Sequence, residues 1–316
     1  MIRILNVILM TGLFFSILYA QEDNKLHKTF PAKKGVELKI TSGDCIVKTG
    51  SDNEIIVDMV SDVRPEGSFQ PEIRETGNTL KIRERWHGSS SGRVTWTITV
   101  PVKTEFEFSA ASGDLTVSGL QSKLETSTAS GEITIEDCSG EFNCSTASGD
   151  VSISGSKGEF DLSTASGDVD VENSGGEFDI STASGEIKID DATGAFELSC
   201  ASGEIDAKRI VVEDEGSFST ASGDVKVVLA KSSTVDLSLS AASGAVVLDY
   251  NGNEVKGFFE FSANKRRGRI VCPFDFDKEE EIERHGETYL LKSFTRGGSQ
   301  PFISLETSSG KAELKK

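Results

Sequence analysis

Apolar residues occupy every second position on both sides of a recurring Ala-Ser-Gly tripeptide. In one copy, Phe160 and Leu162 precede the glycine by seven and five residues, and Val169 and Val171 follow it by two and four. Polar residues such as Asp161 fill the positions between them. Successive side chains of a β-strand point to opposite faces, so this alternation predicts two short strands in each unit, each with one face towards the interior.

The tripeptide recurs at a nearly constant period. Five steps of 18 residues are followed by steps of 20 and 21, with the glycine at Gly113, Gly131, Gly149, Gly167, Gly185, Gly203, Gly223 and Gly244. Four consecutive units carry a phenylalanine seven residues before the glycine, at Phe142, Phe160, Phe178 and Phe196. Hairpins in a sandwich do not require the same residue at the same place in every unit, whereas a coil that stacks like on like does.

The pattern therefore favours an all-β fold, a parallel β-solenoid (β-helix) with about 18 residues and two short strands per rung, over an antiparallel sandwich. The preference for right-handed connections between parallel strands predicts a right-handed coil. Each rung has two corners, one at Ser-Gly-Asp/Glu and one at Gly-Glu. Glycine is expected at both corners because it adopts positive φ at no steric cost.

The rest of the chain divides around these repeats. In residues 1–20 Arg3 is the only charge, Ile4 to Leu18 is mostly apolar, and Tyr19-Ala20 offers a cleavage point, which predicts a cleaved secretory signal peptide. We expect a leader over 21–34, irregular rungs and a cap over 35–105, the regular repeats over 106–250, and irregular rungs with a C-terminal cap over 251–316. The template is still readable around Gly43 and Gly310, and these degenerate rungs are expected to close the two ends.

Charge adds a second column to the repeat. The chain has 33 basic and 51 acidic residues, a net charge of −18, which argues against a nucleic-acid partner. An acidic residue follows seven of the repeat glycines, at Asp114, Glu132, Asp150, Asp168, Glu186, Glu204 and Asp224. We interpret this acidic column as a solvated edge that keeps the protein soluble. A line of calcium sites is the alternative, because calcium prefers carboxylate oxygens, but the Gly-Gly-x-Gly-x-Asp run of calcium-binding β-rolls is absent.

Other residues offer weaker hypotheses. The basic run Lys265–Arg269 could dock an anionic polymer, or the acidic segment 277–281 could neutralise it. The alternation places Trp86 and Trp96 in the core rather than on a sugar-binding surface. The five cysteines fit small buried apolar positions, although a Cys138–Cys144 bridge stays open.

Catalytic motifs are sparse. The sequence has three histidines and contains no HExxH, GxSxG or phosphate-binding glycine loop. β-Helical polysaccharide lyases and hydrolases need acid-base groups in a groove walled by long loops, and the corners of these repeats are only a few residues long. An enzymatic site could lie in the irregular region 251–298. We expect no cofactor, with calcium as the weak exception.

Four segments resemble a known family. The run Ile98–Pro101, then Phe106–Phe108 and Ala111–Val117, is similar to the bacterial β-strand-repeat family labelled "putative adhesin", and Phe302–Gly310 resembles its C-terminal rung. The resemblance implies an exported or membrane-associated domain of largely unassigned function, with no catalytic residues to transfer. This chain departs from the family in its more uniform repeats and denser acidic column.

We therefore expect an exported, non-enzymatic solenoid that acts as an adhesin-like binding or scaffold protein in the periplasm, at the cell surface or outside the cell. Its expected partner is a protein or glycan of the cell envelope. No transmembrane segment is expected in the mature chain. A carbohydrate-active β-helix enzyme is the alternative. Calcium binding and ice binding are minor alternatives; ice binding needs outward threonines, whereas the alternation points the repeat threonines inward.

Overall fold

The protein is described by a computed structural model covering residues 24–316, which form strands and their connections without a helix in that range. The predicted signal peptide lies outside the described residues. Strands of the first third are β1 (Lys25–Pro31), β2 (Gly35–Ser42), β3 (Asp44–Thr49), β4 (Glu54–Arg64), β5 (Phe69–Thr76), β6 (Thr79–Trp86) and β7 (Ser91–Val100).

The regular repeats form short strands that alternate between two sheets. They are β8 (Glu105–Ser112), β9 (Leu115–Ser118), β10 (Leu124–Thr128), β11 (Ile133–Glu136), β12 (Ser139–Thr146), β13 (Val151–Ser154), β14 (Lys157–Thr164), β15 (Val169–Glu172), β16 (Gly175–Thr182), β17 (Ile187–Asp190), β18 (Thr193–Ser202), β19 (Ile205–Ser222), β20 (Val225–Leu229), β21 (Leu237–Ser243) and β22 (Val246–Asp249). The last strands are β23 (Gly257–Asn264), β24 (Gly268–Val271), β25 (Lys278–Arg284), β26 (Glu287–Arg296) and β27 (Phe302–Lys315).

The two sheets are built by parallel stacking of equivalent strands. Sheet A runs β1-β4-β7-β3-β9-β11-β13-β15-β17-β19-β20-β22-β27-β24. Sheet B runs β5-β6-β2-β8-β10-β12-β14-β16-β18-β19-β21-β27-β23-β26-β25. The prediction of an all-β, mostly parallel repeat fold is confirmed. The handedness of the coil stays a prediction.

The core lies between the sheets and repeats with the rungs. Phe142, Phe160 and Phe178 face one another in an 18-residue register, with ring centroids 4.9 Å apart at each step. Sheet A supplies fully buried aliphatic residues such as Val169 and Ile187. One apolar column from each sheet therefore closes a continuous interior.

Both ends depart from the order that the sequence suggests. The rung β6/β7 lies outside β2/β3, although it follows β2/β3 in the chain, and antiparallel strands β4 and β5 extend it further. At the other end, β27 inserts between β21/β22 and β23/β24. The rungs of Gly43 and Gly310 are therefore internal rather than terminal. The segment 21–34, which the sequence assigns to a leader, contributes β1 as the edge strand of sheet A.

Candidate functional site

Threonine hydroxyls shape the corner where sheet B ends. In four successive rungs the backbone N–H of the repeat glycine donates to the threonine hydroxyl three residues earlier, as from Gly167 to Thr164 Oγ1 at 2.9 Å. These threonines are buried, as the alternation predicts, at Thr128, Thr146, Thr164 and Thr182. Each rung thus carries its own side-chain-capped turn. The constant spacing of threonine and glycine was the available signal for this turn.

The repeat glycines are required mainly by the close approach of neighbouring rungs. A Cβ on Gly131, Gly149, Gly167 or Gly185 would lie 1.8 Å from the carbonyl oxygen of the glycine one rung earlier. Six of the eight repeat glycines, all except Gly223 and Gly244, have φ outside the left-handed region. The expectation that positive φ explains this column is therefore wrong for those six.

Positive φ is instead found at the opposite corner. Gly140, Gly158, Gly176 and Gly194 have φ between 136° and 150°, as expected for the Gly-Glu corner. A second left-handed column lies three residues before them and was not recognised in the sequence, because its members differ: Asp137, Gly155, Asn173, Asp191 and Arg209. Glycine, asparagine and aspartate are the residues that tolerate this conformation best. Arg209 holds its place with a bidentate pair to Asp191 at 2.8 Å.

A long groove follows the threonine corner across the rungs. It has a volume of about 1080 Å³ and is lined from Thr146 to Ser308 by serine, threonine and alanine residues together with Cys200 and Glu306. The lining crosses β12, β14, β16, β18, β19, β21 and β27, which is roughly 29 Å at about 4.8 Å per rung. Its outward hydroxyls come from Ser163, Ser181, Ser199, Ser219 and Ser240. The exposed carboxylates of Asp161, Asp179 and Glu197 form a parallel row two residues earlier on sheet B.

The acidic column at the next corner has a structural role in part of its length. Each of its aspartates accepts a hydrogen bond from the backbone N–H one rung further on, as Asp150 Oδ1 does from Asp168 at 2.8 Å and Asp168 Oδ1 does from Glu186 at 2.7 Å. The glutamates Glu132, Glu186 and Glu204 make no such bond within residues 24–316. The shorter side chain therefore matters, because it places its carboxylate beside the next amide.

The same column contains no preformed cation cage. Nowhere in residues 24–316 do three carboxylate, imidazole or thiol side chains come together as metal ligands would. The solvated-edge interpretation and the calcium alternative both stay predictions.

A charged cluster marks the N-terminal end of sheet B. Glu37 is buried on the outer face of β2 and pairs with Lys81, with Lys39 at 3.1 Å and with Arg83 at 3.3 Å. The hydrogen bond from Lys81, with smaller contributions from Lys39 and Arg83, outweighs the effect of burial and lowers the pKa of Glu37 to about 2. A smaller groove of about 300 Å³ runs from Glu107 to Ser163 beside it.

The two tryptophans share one carboxylate. Trp96 is fully buried, and its indole N–H donates to Glu84 Oε1 at 3.0 Å. Trp86 is half-buried against the core and donates to Glu84 Oε2 at 3.0 Å. Both indoles thus face the interior rather than a sugar-binding surface, and the bond from Trp96 to Glu84 joins β7 to β6 within this rung.

Comparison with protein families shows to which family this chain belongs. The profile of the Toastrack DUF4097 family matches residues 34–267. The chain belongs to this family. The resemblance to a bacterial β-strand-repeat family of unassigned function is therefore confirmed. No curated protein matches the sequence.

Two solved structures are similar to this chain at low sequence identity. One is described as a "putative cell adhesion protein" from Clostridium sporogenes, with 11% identity, a TM-score of 0.24, and coverage of 92% of this chain and 99% of the other. The second is described as a "putative adhesin" from Bacteroides fragilis, with 11% identity, a TM-score of 0.34, and coverage of 92% and 96%.

The cysteines of this Toastrack chain are free thiols. Cys45, Cys138, Cys144 and Cys200 are buried, and Cys272 is half-buried. Cys138 and Cys144, for which the sequence leaves a bridge open, are both unbridged. Burial raises the pKa of Cys144 to about 12. These thiols therefore act as small apolar residues.

The basic run covers the turn after β23 and the first two residues of β24. Lys265 pairs with Glu281 at 2.7 Å, and Arg267 pairs with Glu287. Acidic residues of the fold thus neutralise two of the four basic residues in this run. Residues 24–316 contain no helix long and apolar enough to cross a membrane.

Proposed function

We propose that the protein is an exported, non-enzymatic binding protein of the cell envelope or cell surface, which holds a partner protein or glycan along its solenoid. The observation that carries the proposal is the groove of about 1080 Å³ along the threonine corner. It presents a serine hydroxyl at the same position on five successive rungs, so it suits an extended ligand with a regular repeat.

The chemistry of the groove supports a polar, elongated partner. Each serine hydroxyl both donates and accepts hydrogen bonds, and so do the hydroxyls of a glycan and the amides of an extended peptide. The serines stand on strands whose backbone is fixed by stacking on both sides, so little conformational entropy is lost on binding. An open and shallow groove allows the ligand to extend beyond either end.

The lining of the groove favours binding over catalysis. A glycosidase or lyase needs at least two carboxyl groups or an acid-base pair at the scissile bond. The one carboxylate in the lining of this groove is Glu306, and it pairs with Arg284 at 2.8 Å. A carbohydrate-active enzyme remains the competing hypothesis.

The test fills the groove and leaves the fold intact. Ser181→Trp places a large side chain in the groove, whereas the matched variant Ser152→Trp places it on the outer face of sheet A. Native envelope fractions are incubated with each purified protein, and the bound protein is quantified after sedimentation. We expect Ser181→Trp to lose at least tenfold in affinity and Ser152→Trp to bind like the wild type.

Equal binding by both variants would show that the partner does not bind in the groove. Absence of envelope binding by the wild-type protein would contradict the proposed function itself. The same fractions are assayed for new reducing ends, and their release by the wild type would favour the enzymatic alternative.

A further inference from the structure

The acidic column reverses its charge at the C-terminal end of the solenoid. In register after Asp224 come Ala245, then Lys311, then Arg269 on the last strand of sheet A. Seven rungs of the column carry acidic residues, and the two outermost rungs at this end carry basic ones. The local potential of this end therefore differs in sign from that of the rest of the edge.

Ala245 interrupts the bonding pattern of the column. Asp224 Oδ1 accepts the backbone N–H of Ala245 at 2.6 Å, as the other aspartates do for their next rung. Ala245 has no carboxylate to offer to Lys311, which occupies the following rung. The column therefore lacks a carboxylate at Ala245, directly before the rungs that carry basic residues.

A cleft of about 430 Å³ lies at this position, lined by Ala245, Arg266, Arg267, Gly268, Arg269, Gly310 and Lys311. Arg266 and Arg269 are exposed and form no ion pair with any residue in 24–316. Lys311 shares its charge with Glu313 at 2.5 Å. The cleft therefore keeps two uncompensated guanidinium groups beside a partly neutralised ammonium.

We propose that this cleft is a phosphate-binding site. Guanidinium groups bind phosphate through paired charge-assisted hydrogen bonds, and a phosphate group carries about 1.5 to 2 negative charges at neutral pH. That charge matches the two free arginines better than the single charge of a carboxylate does. The net charge of −18 opposes anions at long range, but this repulsion is screened beyond about 8 Å at physiological salt.

The site is independent of the groove and can be tested separately. Inorganic phosphate is titrated into the isotopically labelled protein, and amide shifts are followed by NMR. We expect saturable shifts confined to the segments around Ala245, Gly268 and Lys311. Acetate at the same ionic strength should bind at least tenfold more weakly, and added sodium chloride should weaken phosphate binding.

Two variants and one control test the residues. Ala245→Asp restores the carboxylate of the column, and we expect it to fill the cleft and raise the Kd for phosphate more than tenfold. Arg266→Gln with Arg269→Gln should raise the Kd by a similar factor. Arg74→Gln with Arg93→Gln removes two charges at the opposite end and should leave the Kd unchanged. Amide spectra confirm that each variant is folded.

Glycerol 3-phosphate, titrated in parallel, distinguishes the source of the phosphate group. Binding of both compounds assigns the site to a phosphate ester on a larger ligand, and binding of inorganic phosphate alone assigns it to the free ion. Three results would overturn the proposal: unsaturable or scattered shifts, acetate binding as tightly as phosphate, or an equal loss of affinity in the Arg74/Arg93 control.

Discussion

The glycine column provides the sharpest test of how the rungs are held. Gly167→Ala would place a Cβ 1.8 Å from the carbonyl oxygen of Gly149, whereas Gly175→Ala meets its nearest atom, the oxygen of Thr193, at 3.4 Å. Both glycines have φ outside the left-handed region, so neither substitution creates backbone strain. Both substitutions lower the conformational entropy of the unfolded chain, which stabilises each variant by about 0.4–1 kcal/mol. The comparison therefore isolates the close contact.

The magnitude follows from the bonds that the contact disturbs. Relieving it to 3.4 Å requires a shift of about 1.6 Å between rungs. That shift breaks the bonds from Asp168 N to Asp150 Oδ1 at 2.8 Å, from Val151 N to Asp168 O at 2.9 Å and from Ala165 N to Thr146 O at 3.2 Å. At about 1 kcal/mol each, their loss destabilises Gly167→Ala by about 3 kcal/mol.

Guanidinium chloride unfolding followed by circular dichroism measures both variants. We expect a lower midpoint at unchanged m for Gly167→Ala, and a free energy of unfolding within about 1 kcal/mol of the wild type for Gly175→Ala. A Gly167→Ala protein as stable as Gly175→Ala would refute the steric explanation of the column.

Three further predictions concern the core, the charged cluster and the acidic column. Phe160→Ala should destabilise by about 3–5 kcal/mol, while Asp161→Ala, exposed and one residue on, should stay within about 0.5 kcal/mol; equal shifts in melting temperature would contradict the alternating pattern. Because the pKa of Glu37 falls from 4.5 to about 2 on folding, its stabilising contribution is complete above pH 4.5 and is lost as pH falls towards 2. In Glu37→Gln the unfolding midpoint should therefore change less with pH between 4.5 and 2 than it does in the wild type. An unchanged pH dependence would show that Glu37 and its basic neighbours are not its source. Calcium at millimolar concentration should raise the melting temperature no more than sodium chloride of equal ionic strength; a calcium-specific rise that disappears in Asp150→Asn with Asp168→Asn would show that the column binds cations.

The repeat and its inward face follow directly from the pattern of residues along the chain. The period of 18 residues and the alternation of residues such as Phe160 and Asp161 predict which side chains are buried, because a strand has only two faces and like residues stack in register. The burial of the repeat threonines and of Trp96 follows from the same rule. The alternation within one unit gives the inward face, and the comparison of successive units gives the period.

The contacts between rungs and the order of rungs at the ends depend on the assembled fold. The reason for glycine at Gly167 is the carbonyl oxygen of Gly149 in the preceding rung, and the bond from Asp168 N to Asp150 Oδ1 likewise joins two rungs. The insertion of β27 between rungs that are consecutive in the chain depends on which sheet edges remain unpaired. Periodicity specifies how a strand faces the core, but an edge strand pairs with any compatible edge, so the final neighbours are set only when the whole sheet is assembled.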